Sequence, residues 1–197
     1  MKTEKLVFFG INADPPHLGH LHVLNEVEKS LGPETLFVVM PTGDHPQNKP
    51  QIAAKKDRLA MTQRLFSGYK HVRVDDFEIL KHGPSYTLDS LIYLKGHYPH
   101  KDLYFIMAVD VANHFFSWHE PLKICQIAIP IIISRPGYHL DEQVKMKLEK
   151  LTHILILKNE SLDISSTNIR HDLKMKKNSK DLSPSVLEYI HNHHLYI

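Results

Sequence analysis

The residues with the most chemistry to offer stand in two short segments. The first runs Gly10-Ile11-Asn12-Ala13-Asp14-Pro15-Pro16-His17-Leu18-Gly19-His20, directly after the apolar stretch 5–9. Its two prolines hold the backbone extended and favour a helix start just beyond them. His17 and His20, three residues apart, then fall near the first turn on the same side. Gly19 between them removes a side chain, so another group can approach the backbone. A helix N-terminus carries unpaired N–H groups and the positive end of the dipole, and two imidazoles add donors, which together make a phosphate site. Two other readings stand beside this one. The segment could be a connecting loop holding two of the chain's 16 histidines. It could also be a metal pair with His22, although no nearby Cys, Asp or Glu cluster completes a site.

The second segment is Ile164-Ser165-Ser166-Thr167-Asn168-Ile169-Arg170. Ser165 or Ser166 can cap a helix and leave N–H donors for an anion. Arg170, one turn beyond Ser166, can fork onto phosphate oxygens. Taken alone, this is a capped helix with a surface arginine. Paired with the first segment, it suggests two helix starts converging on one polyanion.

The elements that must position these residues alternate along the chain. Buried strands are expected at 5–10, 35–41, 71–79, 102–110, 128–134 and 153–158. Helical patterns lie between them at 18–32, 53–66, 87–99 and 140–151, with short helices around 111–125 and two terminal helices. Thr87 reads as the cap of the 87–99 helix. Strands apolar throughout and separated by helices imply an α/β fold: a doubly wound, mainly parallel sheet covered on both faces. Pro130 suggests an edge position or bulge for its strand. The Gly-, Pro- and Asn-rich loop 42–52 is long for such a fold, which marks it as a functional candidate. Ligands of doubly wound sheets gather beyond the carboxyl ends of the strands, where the first segment lies.

Composition narrows the class. The 197 residues suggest one domain, with 160–197 a helical C-terminal portion that carries the second segment. A net charge of +2 argues against a nucleic-acid or membrane-surface binder. The one cysteine, Cys125, lies in an apolar stretch, so no disulfide framework forms within the chain, and a reducing compartment is expected. The N-terminus is too short and polar for a signal peptide, and the longest apolar run is far short of a membrane helix. The expectation is a cytoplasmic protein; the sequence leaves a homo-oligomer open.

The first segment resembles the G-x-F-x-P-x-H-x-G-H signature of the nucleotidylyltransferases, and Ile164–Arg170 is a full match to their late I-S-S-T-x-[IV]-R. Weaker pieces extend the resemblance over almost the whole chain, toward the bacterial nicotinate-nucleotide adenylyltransferases. They are Gly83-Pro84-Ser85-Tyr86-Thr87-Leu88-Asp89-Ser90-Leu91, Asp110 followed eight residues later by Trp118, the Arg135-Pro136-Gly137 triplet, and the Leu195-Tyr196 ending. The resemblance implies a Rossmann-like nucleotidyltransferase fold and adenylyl transfer from ATP to nicotinate mononucleotide, with Mg2+ on the triphosphate and no metal site built from protein side chains.

It also implies roles residue by residue. His17, His20 and Arg170 would be catalytic. ATP would be held by Gly10, Asn12, Gly19, Lys49, Asp110, Ser165, Ser166 and Thr167. Thr87, Trp118 and Arg135 would bind the nicotinate nucleotide. The chain departs from the family pattern at Ile11, Ala13 and Ala108. Rival acceptors are nicotinamide mononucleotide and phosphopantetheine; a rival of another class is a nucleotide sensor that does no chemistry.

Overall fold

A computed structural model describes residues 4–46, 50–135, 137–158, 164–177 and 179–196. Its centre is a six-stranded sheet: β1 (Lys5–Ile11), β2 (Leu36–Pro41), β3 (Val72–Val74), β4 (Asp102–Ala108), β5 (Ile129–Ile133) and β6 (Leu155–Leu157). Every ladder is parallel, and the order is β3-β2-β1-β4-β5-β6. The chain therefore winds outward from β1 in one direction and from β4 in the other. The crevice between their carboxyl ends is the topological switch point, where such sheets take ligands.

Side-chain alternation along the strands divides the core in two. Val7, Phe9 and Ile11 face one side of the sheet, with Phe37, Val39, Ile131 and Ile133. This side is covered by α1 (Leu18–Leu31), α2 (Lys55–Phe66), α8 (Ser166–Lys174) and α9 (Pro184–Asn192) through Leu24, Met61, Ile169 and Ile190. Leu6, Phe8, Val38 and Ile132 face the other side, under α4 (Thr87–His97), α6 (Pro121–Ile127) and α7 (Glu142–Glu149). Cys125 is a free, buried thiol in this second layer. The expected doubly wound α/β fold is what forms. No described helix is long and apolar enough to cross a membrane.

Four local expectations need correction. The 71–79 strand ends at Val74, because the Asp75 carboxylate accepts from the Phe77 N–H at 2.9 Å and turns the chain into α3 (Phe77–Leu80). The 102–110 strand ends at Ala108, so Asp110 lies in the short helix α5 (Val109–Ala112). Pro130 sits in an interior strand, opposite Phe105 of β4. However, β6 joins only from Ile131 onward, so β5 is still locally an edge at the proline. Finally, the N-cap of α4 is Tyr86, whose carbonyl accepts from the Asp89 and Ser90 amides, and Thr87 is the first helical residue.

Candidate active site

A cleft of about 960 Å³ opens at the switch point. From the β1–α1 connection it is lined by Gly10, Asn12, His17, Gly19 and His20; from the start of α8, by Ser165 and Ser166. The opposite wall carries Thr87, Asp110, Trp118 and Arg135. Eleven of the fourteen residues singled out from the sequence thus share one cavity. Thr167 and Arg170 are not among its lining residues, and Lys49 falls outside the described residues. Thr42, His45 and Pro46 bring the 42–52 loop to the rim.

His17 is the N-cap of α1, in extended conformation. Its N–H donates to His20 Nδ1 at 3.1 Å, and its carbonyl accepts from the His20 N–H at 2.9 Å. The first bond makes Nδ1 of His20 the acceptor, so in the neutral ring the proton sits on Nε2. The two rings lie 3.9 Å apart, tilted by 36°. Gly19 accounts for this packing. A Cβ there would stand 2.9 Å from His17 Nδ1 and 3.0 Å from Cε1. The group that needs the missing side chain is the motif's own imidazole, rather than only an incoming ligand.

Burial dominates the electrostatics of the pair. It pushes His17 down to about 2, helped by the charges of His20 and Arg135. It pushes His20 down to about 4, again with a contribution from Arg135. Both rings are therefore neutral at neutral pH, and Arg135 supplies the local positive charge. The Arg135 guanidinium stands 3.5 Å from Asp110 Oδ2, while Asp110 Oδ1 is buried with no partner among the described residues. An unpaired buried carboxylate oxygen is costly, and a donor on a ligand would relieve that cost. Trp118 is half-buried, its ring 5.4 Å from Phe115, so it packs on the core and lines the cleft at once.

The α8 end is built differently. Ser165 caps it, accepting from the Asn168 N–H at 3.2 Å, which leaves the first amides of the helix, at Ser166 and Thr167, to a ligand. Ser166 Oγ donates to the Pro15 carbonyl at 2.9 Å. Arg170 donates to the Asp14 carbonyl at 2.6 Å and to Thr167 Oγ1 at 3.3 Å. Two of the five guanidinium N–H donors thus tie the second motif to the first, at the loop that carries His17.

Sequence reasoning missed the residues that hold this loop from behind. Asp14 is fully buried, and its carboxylate accepts from the Ile52 and Ala53 amides at 2.7 and 3.0 Å and from Tyr196 Oη at 2.7 Å. Glu78, also missed, is buried in the cleft wall against Ser90 Oγ at 2.7 Å, and burial raises its carboxyl to about 7. Arg58, the largest fully buried side chain, reaches the backbone of two loops at once. A signal existed for Arg58: it shares the helical spacing of Met61, Thr62 and Leu65, the buried face of α2.

The fold and cleft define a nucleotidyltransferase. A profile of the cytidylyltransferase-like family matches residues 8–172, and the chain belongs to that family. A Dehalococcoides mccartyi protein named probable nicotinate-nucleotide adenylyltransferase is 36% identical, over 100% of this chain and 98% of its own. A Bacillus pumilus protein of the same name is 30% identical, over 98% of each chain. Within the family, the chain falls among the nicotinate-nucleotide adenylyltransferases. The solved Plasmodium falciparum nicotinic acid mononucleotide adenylyltransferase complexed with NaAD superimposes with a TM-score of 0.79 at 22% identity, covering 98% of this chain and 97% of that one, a likeness of fold.

Proposed function

We propose that this chain transfers the adenylyl group of ATP to nicotinate mononucleotide, forming deamido-NAD and pyrophosphate as a cytoplasmic step of NAD biosynthesis. The observation that carries the reading is the shared cleft: the two phosphate-type helix starts open on the same cavity as Thr87, Trp118 and Arg135. The 5′-phosphate oxygen of the acceptor attacks the α-phosphorus in line. The bond from that phosphorus to the bridging oxygen breaks, and pyrophosphate leaves with the electron pair. Positioning and charge stabilisation carry such a transfer, so no covalent nucleophile is required.

His17 and His20 donate to phosphate oxygens, and the negative charge of the triphosphate favours their protonated forms once it is bound. The first amides of α8, with Ser165 and Ser166, hold further phosphate oxygens. Gly10 and Asn12 form the floor beneath the nucleotide. Asp110 takes ribose hydroxyls on its unpaired oxygen, Thr87 and Trp118 enclose the nicotinate ring, and Arg135 faces the anionic acceptor. Arg170 holds the first loop through the Asp14 carbonyl and, with Thr167 beside it, offers its remaining donors to phosphate. Mg2+ prefers oxygen ligands and keeps several waters, so it would ride on the triphosphate. When bound there, it neutralises phosphate charge.

The test is a pyrophosphate-release assay with ATP and Mg2+, run in parallel on nicotinate mononucleotide, nicotinamide mononucleotide and phosphopantetheine. Fastest release with the nicotinate acceptor is the expected result. A faster reaction with either other acceptor moves the specificity there. ATP binding with no release on any acceptor makes the protein a sensor.

A further inference from the structure

Arg58 carries a positive charge into a place where a helix normally puts an aliphatic side chain. It is completely buried on α2 and does not line the cleft. One terminal nitrogen donates to the Asn12 carbonyl at 2.9 Å and to the Thr42 carbonyl. The other donates to the Gly43 carbonyl at 3.2 Å and to Gln51 Oε1 at 3.2 Å. Asn12 belongs to the loop after β1, and Thr42 and Gly43 to the loop after β2. These loops leave neighbouring strands and form adjoining parts of the cleft rim, where the sheet's own hydrogen bonds have run out. Gln51 reinforces the joint, donating through Nε2 to Asn12 Oδ1 at 3.0 Å.

A planar guanidinium has fixed donor directions, so it sets the separation of the carbonyls it holds; an ammonium would not. It also draws the negative ends of those peptide dipoles onto a buried cation and away from the wall that Asn12 and Thr42 present. A polyanion in the cleft then meets less carbonyl repulsion. Burying an arginine only to hold a helix on a sheet would be a poor solution, since an apolar side chain of similar volume does that at least as well.

We propose that Arg58 is a positioning residue for adenylyl transfer: it clamps the loops after β1 and β2 in the register that the triphosphate requires. This rests on the function proposed above. The test compares wild type with Arg58→Lys and Gln51→Ala by three measurements: ATP affinity by calorimetry, turnover per folded molecule at saturating substrates, and thermal melting. Arg58→Lys keeps the charge and loses the fork. A tenfold or greater fall in turnover is expected, with ATP bound about tenfold more weakly and the acceptor KM within twofold of wild type. A lower melting temperature with turnover per folded molecule and ATP affinity both within twofold of wild type would make Arg58 merely structural and overturn the proposal. If Arg58→Lys does not fold, Gln51→Ala decides: about threefold losses in both readouts at unchanged melting support the clamp, and no loss in either refutes it. Wild type inactive on every acceptor would fail the proposed function instead, and the ATP affinities would still report on Arg58.

Discussion

The starts of α1 and α8 are the same backbone device loaded in opposite ways. At α1 the amides are largely spent inside the protein: His17 N–H goes to His20 Nδ1, and Leu18 N–H goes to the Asp181 carbonyl at 2.9 Å. What this end offers a ligand is imidazole, held neutral by burial. At α8 one serine oxygen satisfies the cap, and the leading amides stay open. Arg170, one turn on, donates to the Asp14 carbonyl of the first motif. A helix N-terminus is therefore not one kind of anion site. Where the tertiary structure consumes the N–H groups, side chains must do the donating; where it spares them, the backbone can.

The largest effect should come from removing an imidazole. His17→Ala or His20→Ala should raise the barrier to turnover by about 2–4 kcal/mol, the scale of losing one charge-stabilising donor, while melting changes little. Turnover within a factor of two of wild type in either variant would shift the chemistry to the α8 end. Gly19→Ala comes next. Its Cβ would push His17 out of place, so turnover should fall about tenfold, or about 1.4 kcal/mol of barrier, although alanine favours the helix. Unchanged turnover would mean that the ring position in the free protein is immaterial. Ser165→Ala should lower stability by about 1 kcal/mol through loss of the cap, measured by denaturant melts, with ATP affinity reduced less than in the histidine variants.

The smallest effect is on pH dependence. His17 and His20 have folded values below the ordinary 6.5, so their contribution to stability is complete above that pH. It is lost as pH falls through about 4 for His20 and about 2 for His17. Glu78 has the opposite sign: raised to about 7, it contributes fully below its ordinary 4.5 and loses that contribution as pH rises through 7. Melting temperatures of wild type and His20→Ala should therefore lie close together at pH 7 and separate as pH is lowered to 4, with wild type the lower. A gap independent of pH would show that the ring is not excluding a proton.

Much of this site was legible in the sequence because its parts are local. The apolar runs marked the strands, the double proline marked the start of α1, and the Ser-Ser-Thr run marked the start of α8. The errors have local causes as well. Asp75 stops β3 with one side-chain hydrogen bond, and Tyr86 rather than Thr87 supplies the capping carbonyl of α4. The buried face of α2 includes the charged Asp57 and Arg58, which apolar spacing alone does not pick out.

The chain's own pattern determined that a parallel sheet forms and that imidazoles, hydroxyls and helix starts lie at its carboxyl edge, because strand and helix periodicity and turn chemistry depend on near neighbours. Only the tertiary structure decided that the imidazoles are neutral, that Arg170 ties its helix to the first loop, and that Arg58 joins two loops. Those properties follow from burial and from partners distant in the chain, such as Asp14 with Arg170 or Asn12 with Arg58, and no short stretch of sequence encodes them.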